Sequence, residues 1–329
     1  MSKPIFLTTA GLEKGDYKAI LHSKRANIFY LEKCRVMQKN GSIVYLTQAE
    51  DKEFQYWSIP ICNTTILLLG NGTSITNGAI RILCAAGVPV GFCGGGGTPL
   101  FAGTDIAFMN PENEYRPTEY MQGWMSFWFD ESRRLTCAKH FQMTRCEFLR
   151  TTWQKDKDLM AYGFNSTDPD IEAALSVFEY KIGRANTVTE LLLSEAEFTK
   201  ALYKFAANKT GHANFTRNRD ADDMADVFLN HGNYLAYGLA ATTLWVLGIP
   251  HGFALMHGKT RRGALVFDVA DLIKDSVVLP YSFLSEKEKL TEKEFRMVCL
   301  QKFAEHKVLD CMFNEVKTCS RLFSTGEIK

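Results

Sequence analysis

The hydrophobic pattern of this chain changes period once, across Asn110-Pro111-Glu112-Asn113-Glu114-Tyr115-Arg116-Pro117, a stretch of turn formers and charge. Upstream, apolar residues come in short β-branched and aromatic runs: Ile28 to Leu31, Ile43 to Leu46 after the Asn40-Gly41 turn, Tyr56 to Ile61, Ile66 to Leu69 and Val88 to Phe92. Such runs, punctuated by Gly, Asn and Pro, predict strands, with one helix expected from Ser74 to Ala86. Downstream, a spacing of three and four predicts helices from Thr118 through the Trp153 region, then over Asp168 to Ile182, Val188 to Ala207, Asp220 to Leu247 and Phe267 to Val277. Thr291-Glu292-Lys293-Glu294 has the capping-box spacing ahead of a further helix. The expected class is α+β: a small N-terminal β-rich domain over residues 1–110 and a larger all-helical domain over residues 115–329. A length of 329 residues, 46% hydrophobic, suits a globular chain of roughly two domains.

Charge and cysteine usage narrow the function classes. Lys plus Arg number 38 against 37 Asp plus Glu, a net charge of +1, which excludes a uniformly basic nucleic-acid protein. Any DNA contact would have to come from charge sorted locally, and would weaken steeply with salt. The nine cysteines are odd in number and form no CxxC pair, so they are expected to be reduced, mostly buried thiols in a cytoplasmic protein. No stretch is apolar for long enough to span a bilayer, so no membrane role is expected. Gly70-Asn71-Gly72 and Gly94 to Gly97 lack the Lys-Ser/Thr of a P-loop and the spacing of a dinucleotide fingerprint, and read as turns.

Ligand-type residues stand out in two places. On the helix from Val188 the apolar stripe Val188, Leu191, Leu192, Phe198, Leu202 and Phe205 also carries Glu195. A carboxylate on such a face needs a cation or hydrogen-bond partner, so Glu195 is either one end of a salt bridge or part of a site. Glu190 and Glu197 fall on the opposite face. The second place is the basic loop His257-Gly258-Lys259-Thr260-Arg261-Arg262-Gly263, followed by Asp268 and Asp271. Three residues apart, these aspartates share a helix face and could hold a cation together, or cap the helix and complement its dipole.

Three carboxylates and one imidazole suit Mg²⁺ or Mn²⁺ better than zinc. Lys259, Arg261 and Arg262 beside them are phosphate-binding donors, and metal plus phosphate clamp is a kit for phosphodiester chemistry. His231 lies on the stripe of the long helix and reads as a core or interface histidine.

With these motifs together the chain resembles the CRISPR-associated integrase, the universal spacer-acquisition family of CRISPR adaptation, most nearly its type I-F form. The resemblance covers nearly the whole length. It rests on Leu69-Gly70-Asn71-Gly72-Thr73-Ser74-Ile75-Thr76, Ala86-Gly87-Val88-Pro89-Val90-Gly91-Phe92-Cys93-Gly94, Asn233-Tyr234-Leu235-Ala236-Tyr237-Gly238, His257-Gly258-Lys259 and Asp268-Val269-Ala270-Asp271-Leu272-Ile273-Lys274. It implies a β-domain that mediates homodimerisation and a helical domain with a metal held by Glu195, His257 and Asp271, Asp268 standing in the same acidic cluster and Glu190 or Glu197 as alternatives for the glutamate. Asn233 and Tyr237 are implied to face DNA, with Lys259, Arg261 and Arg262 on phosphates. The implied activity is that of a metal-dependent DNA endonuclease and integrase in antiviral defence, inserting captured DNA as new spacers. Its implied partners are double-stranded and branched DNA and a small ferredoxin-like adaptation protein fused to a helicase-nuclease.

Overall fold

The structure, a computed structural model, describes residues 27–48, 54–94, 100–101, 104–105, 107–109, 118–212, 215–218, 223–258 and 263–323. Strands come first: β1 (Asn27–Leu31), β2 (Arg35–Lys39), β3 (Ser42–Gln48), β4 (Phe54–Ile59), β5 (Thr64–Leu69) and β6 (Ser74–Ile75). Helix α1 (Asn77–Ala85) precedes β7 (Val90–Phe92), β8 (Leu100–Phe101), β9 (Thr104–Asp105) and β10 (Ala107–Met109). Ten α-helices follow among the described residues: α2 (Thr118–Trp128), α3 (Glu131–Lys155), α4 (Lys157–Ala161), α5 (Pro169–Arg184), α6 (Val188–Thr210), α7 (Met224–Val246), α8 (Ala264–Ile273), α9 (Leu279–Lys287), α10 (Glu292–Glu305) and α11 (Val308–Leu322). The α+β class expected from the change of period is the observed one.

Two four-stranded sheets carry the first part, ordered β1-β5-β7-β10 and β4-β3-β2-β6. Strand β5, Thr-Thr-Ile-Leu-Leu-Leu, is buried at every residue because both of its faces are covered. The alternation of side chains sends Leu67 and Leu69 to one side, against Val36, Ile43 and Ile59 of the second sheet and Leu83 of α1. Ile66 and Leu68 point the other way with Cys93, where Ile28 and Tyr30 also touch the helical core. Gly70 is a close approach rather than a phosphate loop: a Cβ there would lie 2.5 Å from the Tyr30 hydroxyl.

The helix expected from Ser74 begins at Asn77, capped by Thr76, because Ser74 and Ile75 pair with β2 as β6; three further helix boundaries depart from the spacing, each for a local reason. The segment read as one helix from Thr118 breaks after Trp128, where Asp130 caps α3 by accepting from the Ser132 and Arg133 amides at 2.9 and 3.1 Å. The helix expected from Asp220 begins at Met224, capped by Asp223. The helix expected over Phe267 to Val277 runs from Ala264 to Lys287, with a π turn at Lys274–Val278. Pro280 explains that turn, since it cannot donate to the carbonyl four residues earlier, and the Trp153 indole donates to the Ser276 carbonyl instead, at 3.1 Å. The capping box at Thr291 and Glu294 forms as its spacing predicts.

All nine cysteines are free thiols. Burial pushes Cys34 up to about 11 and Cys93 up to about 12, so neither ionises near neutrality. Among the described residues no helix is long and apolar enough to cross a membrane.

Candidate metal centre and active site

Asp268 organises the segment that carries His257. Buried on α8, it accepts from the backbone amides of Leu255, Met256 and His257 at 2.7, 3.2 and 3.3 Å, and from His257 Nδ1 at 2.7 Å. The same segment is held from α2, where Trp124 and Trp128 donate their indole N–H to the Phe253 and Ala254 carbonyls at 3.0 and 2.7 Å. With its proton on Nδ1 directed to Asp268, the imidazole turns Nε2 toward Asp271 Oδ2, 3.7 Å away. Burial lowers the His257 pKa, but the bond to Asp268 and the charge of Asp271 outweigh it and the net shift is upward.

The two aspartates therefore have different tasks, although three residues on a helix share a face. Asp268 caps nothing on its own helix, whose N-cap is Gly263; its oxygens are consumed by the 255–257 segment. Asp271, one turn on, opens into the cleft and pairs with Lys274. Burial works to raise its pKa, and Lys274, His257 and Arg145 together hold it below the ordinary carboxylate value.

Glu195 reaches the same cleft from α6, with its side chain 17% exposed. Arg145 of α3 donates to its Oε1 at 2.9 Å, and the Thr199 hydroxyl donates to the same oxygen at 3.4 Å. Glu190 instead accepts from the Asn186 amide at 2.7 Å at the start of α6, and Glu197 pairs with Lys181 on the surface. Only Glu195 of the three lines the cleft.

That cleft holds about 900 Å³ between α6, α7, α8 and the segment around Phe215. Asn233 and Tyr237 of α7 line it, Tyr237 packing edge-on against Phe267 with ring centroids 4.7 Å apart and lying beneath the Lys274 ammonium at 5.3 Å. Lys259, Arg261 and Arg262 lie outside the described residues, between Gly258 and Gly263. The model of the family "CRISPR associated protein Cas1" matches residues 29–310.

The chain belongs to the Cas1 family.

It is 49% identical over 312 residues to the CRISPR-associated endonuclease Cas1 of Pseudomonas aeruginosa strain UCBPP-PA14, covering 93% of this chain and 96% of that one. It is 47% identical over 308 residues to the protein of the same description from Pectobacterium atrosepticum, covering 92% and 94%. Among solved structures the fold is similar to a CAS1 protein from Thermotoga maritima, with a TM-score of 0.64 at 14% identity over 91% of this chain and 99% of that one. It is also similar to a casposase bound to integration product, with a TM-score of 0.67 at 15% identity over 92% of each chain.

In this Cas1-family chain, cations that the spacing of ligand types does not reveal lie beneath the site. Arg145 and Lys274 meet Glu195, Asp271 and Asp275, with Asp268 alongside. Four carboxylates, Glu195, Asp268, Asp271 and Asp275, thus share two cations, Arg145 and Lys274, with the His257 imidazole beside them. Arg145 did leave a signal, since it lies on the buried stripe Ala138, Phe141, Gln142, Cys146 and Leu149 of α3, where an arginine requires buried acceptors. A second group of metal-ligand types, Asp156, Glu305 and His306, has ligand atoms within 4.8 Å of one another. The Lys302 ammonium sits among them, 3.2 Å from Asp156 and 3.0 Å from Glu305, and supplies the positive charge there.

The role of Asp268 gives a first expected result. Asp268→Asn keeps the shape but no longer fixes the His257 tautomer by charge, and DNA cleavage falls about 10–100-fold, the usual cost of losing the partner that orients a metal-binding histidine. A rate within twofold of wild type would show that the segment is held without it.

Proposed function

We propose that this chain is the integrase of CRISPR adaptation, of the type I-F form, a divalent-metal-dependent enzyme that joins captured DNA to the CRISPR array. What carries the reading is that Glu195, His257 and Asp271 line one cleft, with His257 Nε2 3.7 Å from Asp271, together with Lys274 and Arg217. The donor set fits Mg²⁺ or Mn²⁺: two carboxylates dominate, and the single imidazole leans toward Mn²⁺. Glu195, His257 and Asp271 would hold the ion, which when bound supplies charge stabilisation to the reacting phosphate.

The chain's own residues account for the rest. Asp268 keeps His257 Nδ1 protonated, so that Nε2 presents its lone pair to the cleft. Lys274 keeps a positive charge beside Asp271, within reach of an entering phosphate oxygen. Asn233 and Tyr237 offer an amide and an amphipathic ring along the path of the strand, and the Lys259, Arg261 and Arg262 loop adjoins His257 in sequence, where flanking phosphates would lie. In the reaction a 3′-hydroxyl gives up its proton to solvent as its oxygen forms a bond to phosphorus, while the bond to the departing 3′-oxygen breaks and that oxygen takes a proton to leave as a hydroxyl. With water as the attacking oxygen, the same site cleaves DNA.

The N-terminal sheets, residues 1–110, are proposed as the homodimerisation domain, and residues 115–329 as the catalytic one. A small ferredoxin-like partner, fused to a helicase-nuclease, is proposed to bridge two dimers. Similar folds occur in a Cas6-RT-Cas1--Cas2 complex and in a TtCas1-DNA complex, in keeping with such partners.

The deciding experiment offers a labelled duplex with free 3′-hydroxyls and a CRISPR array to the protein together with its partner, in Mg²⁺ or Mn²⁺. Covalent joining, absent when the ends are 3′-dideoxy, is expected; cleavage alone would leave a metal-dependent nuclease in place of an integrase.

A further inference from the structure

Arg145 is the most completely engaged side chain near the cleft, and nothing in the proposed chemistry requires it. Its guanidinium is 2% exposed, yet four of its five N–H groups have a hydrogen-bond acceptor and the fifth lies against the Asp275 carboxylate. Nε donates to Asp275 Oδ2 at 2.6 Å, Nη1 to Gln142 Oε1 at 3.2 Å and to Glu195 Oε1 at 2.9 Å, and Nη2 to Thr199 Oγ1 at 3.0 Å, with Asp275 again beside it. The guanidinium thus ties α3 to α6 and to the π turn after α8.

The asymmetry at Glu195 gives the arrangement its meaning. Both protein donors, Arg145 and the Thr199 hydroxyl, converge on Oε1. A guanidinium engaged merely to neutralise a carboxylate often takes both oxygens in a parallel fork. Here Nε and Nη2 both close on one oxygen of Asp275, Oδ2, and Glu195 receives a single N–H. One oxygen is tied down on the buried side of a carboxylate that lines the cleft.

We infer that Arg145 and Thr199 form a cradle that positions Glu195, holding Oε1 so that Oε2 is presented to a divalent cation shared with His257 and Asp271. This rests on the metal-site reading above and adds to it why Glu195, a side chain with three rotatable bonds, can serve as a ligand without first being ordered. Fixing such a side chain beforehand removes an entropic penalty from cation binding, and the rigid planar fork achieves this where a lysine ammonium cannot. Asp275 acts in turn as the anchor that fixes the guanidinium plane.

The test is Mn²⁺ binding to the full-length protein without DNA, read from the loss of the free-ion electron paramagnetic resonance signal, with the melting temperature followed in parallel. Glu195→Gln separates the two readings: if it binds Mn²⁺ as wild type does, the metal site itself is misplaced. Given that Glu195→Gln weakens binding, Arg145→Lys, which keeps the charge but loses the fork, is expected to weaken it about tenfold, the order found when a partner orienting a ligand is removed. The deficit in DNA cleavage by Arg145→Lys should then recover as Mn²⁺ is raised, which a general loss of folding would not allow. Thr199→Val, nearly isosteric, is expected to weaken Mn²⁺ binding several-fold and decides the matter if the lysine variant does not fold. Mn²⁺ affinity unchanged in a folded Arg145→Lys, or in Thr199→Val where that variant decides, would overturn the cradle while leaving the metal site intact.

Discussion

Asp271→Asn is expected to lower both DNA joining and DNA cleavage by about 10³-fold while the protein still folds. The side chain is isosteric, but the site loses one of two carboxylates available to a divalent ion, and the several kcal/mol of stabilisation such an ion provides amount to about three powers of ten in rate. Folding survives because the group left without its partner is the Lys274 ammonium, whose side chain is 21% exposed and can turn to water. Joining and cleavage should fall together, since both use one site, and Mn²⁺ binding should weaken in parallel. The rates are measured on a labelled branched substrate and in the array-joining assay. A variant that keeps a tenth or more of wild-type activity would remove Asp271 from the machinery.

The largest effect on stability is expected far from the cleft, at Asp156. This carboxylate is fully buried where α3 ends and α4 begins. It accepts from the Asp158 and Leu159 amides at 3.0 and 3.2 Å, from the Tyr281 hydroxyl at 2.7 Å and from His306 Nε2 at 2.7 Å, with Lys302 at 3.2 Å. Asp156→Ala orphans donors from α9 and α10 at once and leaves Lys302 short of a buried partner, a loss of roughly 3–5 kcal/mol. For a helical unit of this size that corresponds to a melting temperature lower by roughly 6–20 °C.

The pH dependence has a definite sign. Burial alone would raise the Asp156 pKa, but the bonds from His306, Tyr281 and Leu159 and the charge of Lys302 hold it far below the usual carboxylate range. A carboxyl whose pKa is depressed in the folded state stabilises above its unfolded pKa of about 4 and loses that contribution as the pH falls below it. The gap between wild type and Asp156→Ala, measured by denaturant titration, should therefore be full at neutral pH and shrink as the pH drops below about 4. Mn²⁺ binding by the folded variant should be unchanged, because Lys302 holds the place a cation would take among Asp156, Glu305 and His306. Loss of a bound Mn²⁺ in that variant would mean that this group is a metal site after all.

These two aspartates show where the sequence is readable. Periodicity identified most of the elements, because a strand buried on one or both faces and a helix packed on one side each leave a pattern over a few residues. Thus Ile66 to Leu69 falls within β5, and the stripe from Val188 becomes α6. It passed over β2, Arg-Val-Met-Gln-Lys, in which only Val36 is buried, so the strand carries no apolar run. It merged α2 with α3 because the break depends on one capping aspartate, and it ended the helix after α8 too early because Trp153 rescues the carbonyl that Pro280 strands.

Site residues divide in the same way. Glu195 was visible as a charge on an apolar stripe, and His257, Asp268 and Asp271 as ligand types at short spacing. Which of them would face a cation was not visible, because that depends on partners brought from elsewhere in the chain. Asp268 and Asp271 share a helix face, yet one is consumed by backbone amides 11 to 13 residues upstream and the other opens into the cleft beside Lys274. Arg145 lies 50 residues from Glu195 and 130 from Asp275, beyond any spacing rule. Helix periods, caps and strand alternation act over a handful of neighbouring residues and so can be read along the chain. The division of four carboxylates among two protein cations, three backbone amides and one imidazole depends on which atoms packing brings within about 3 Å, and folding alone sets those distances.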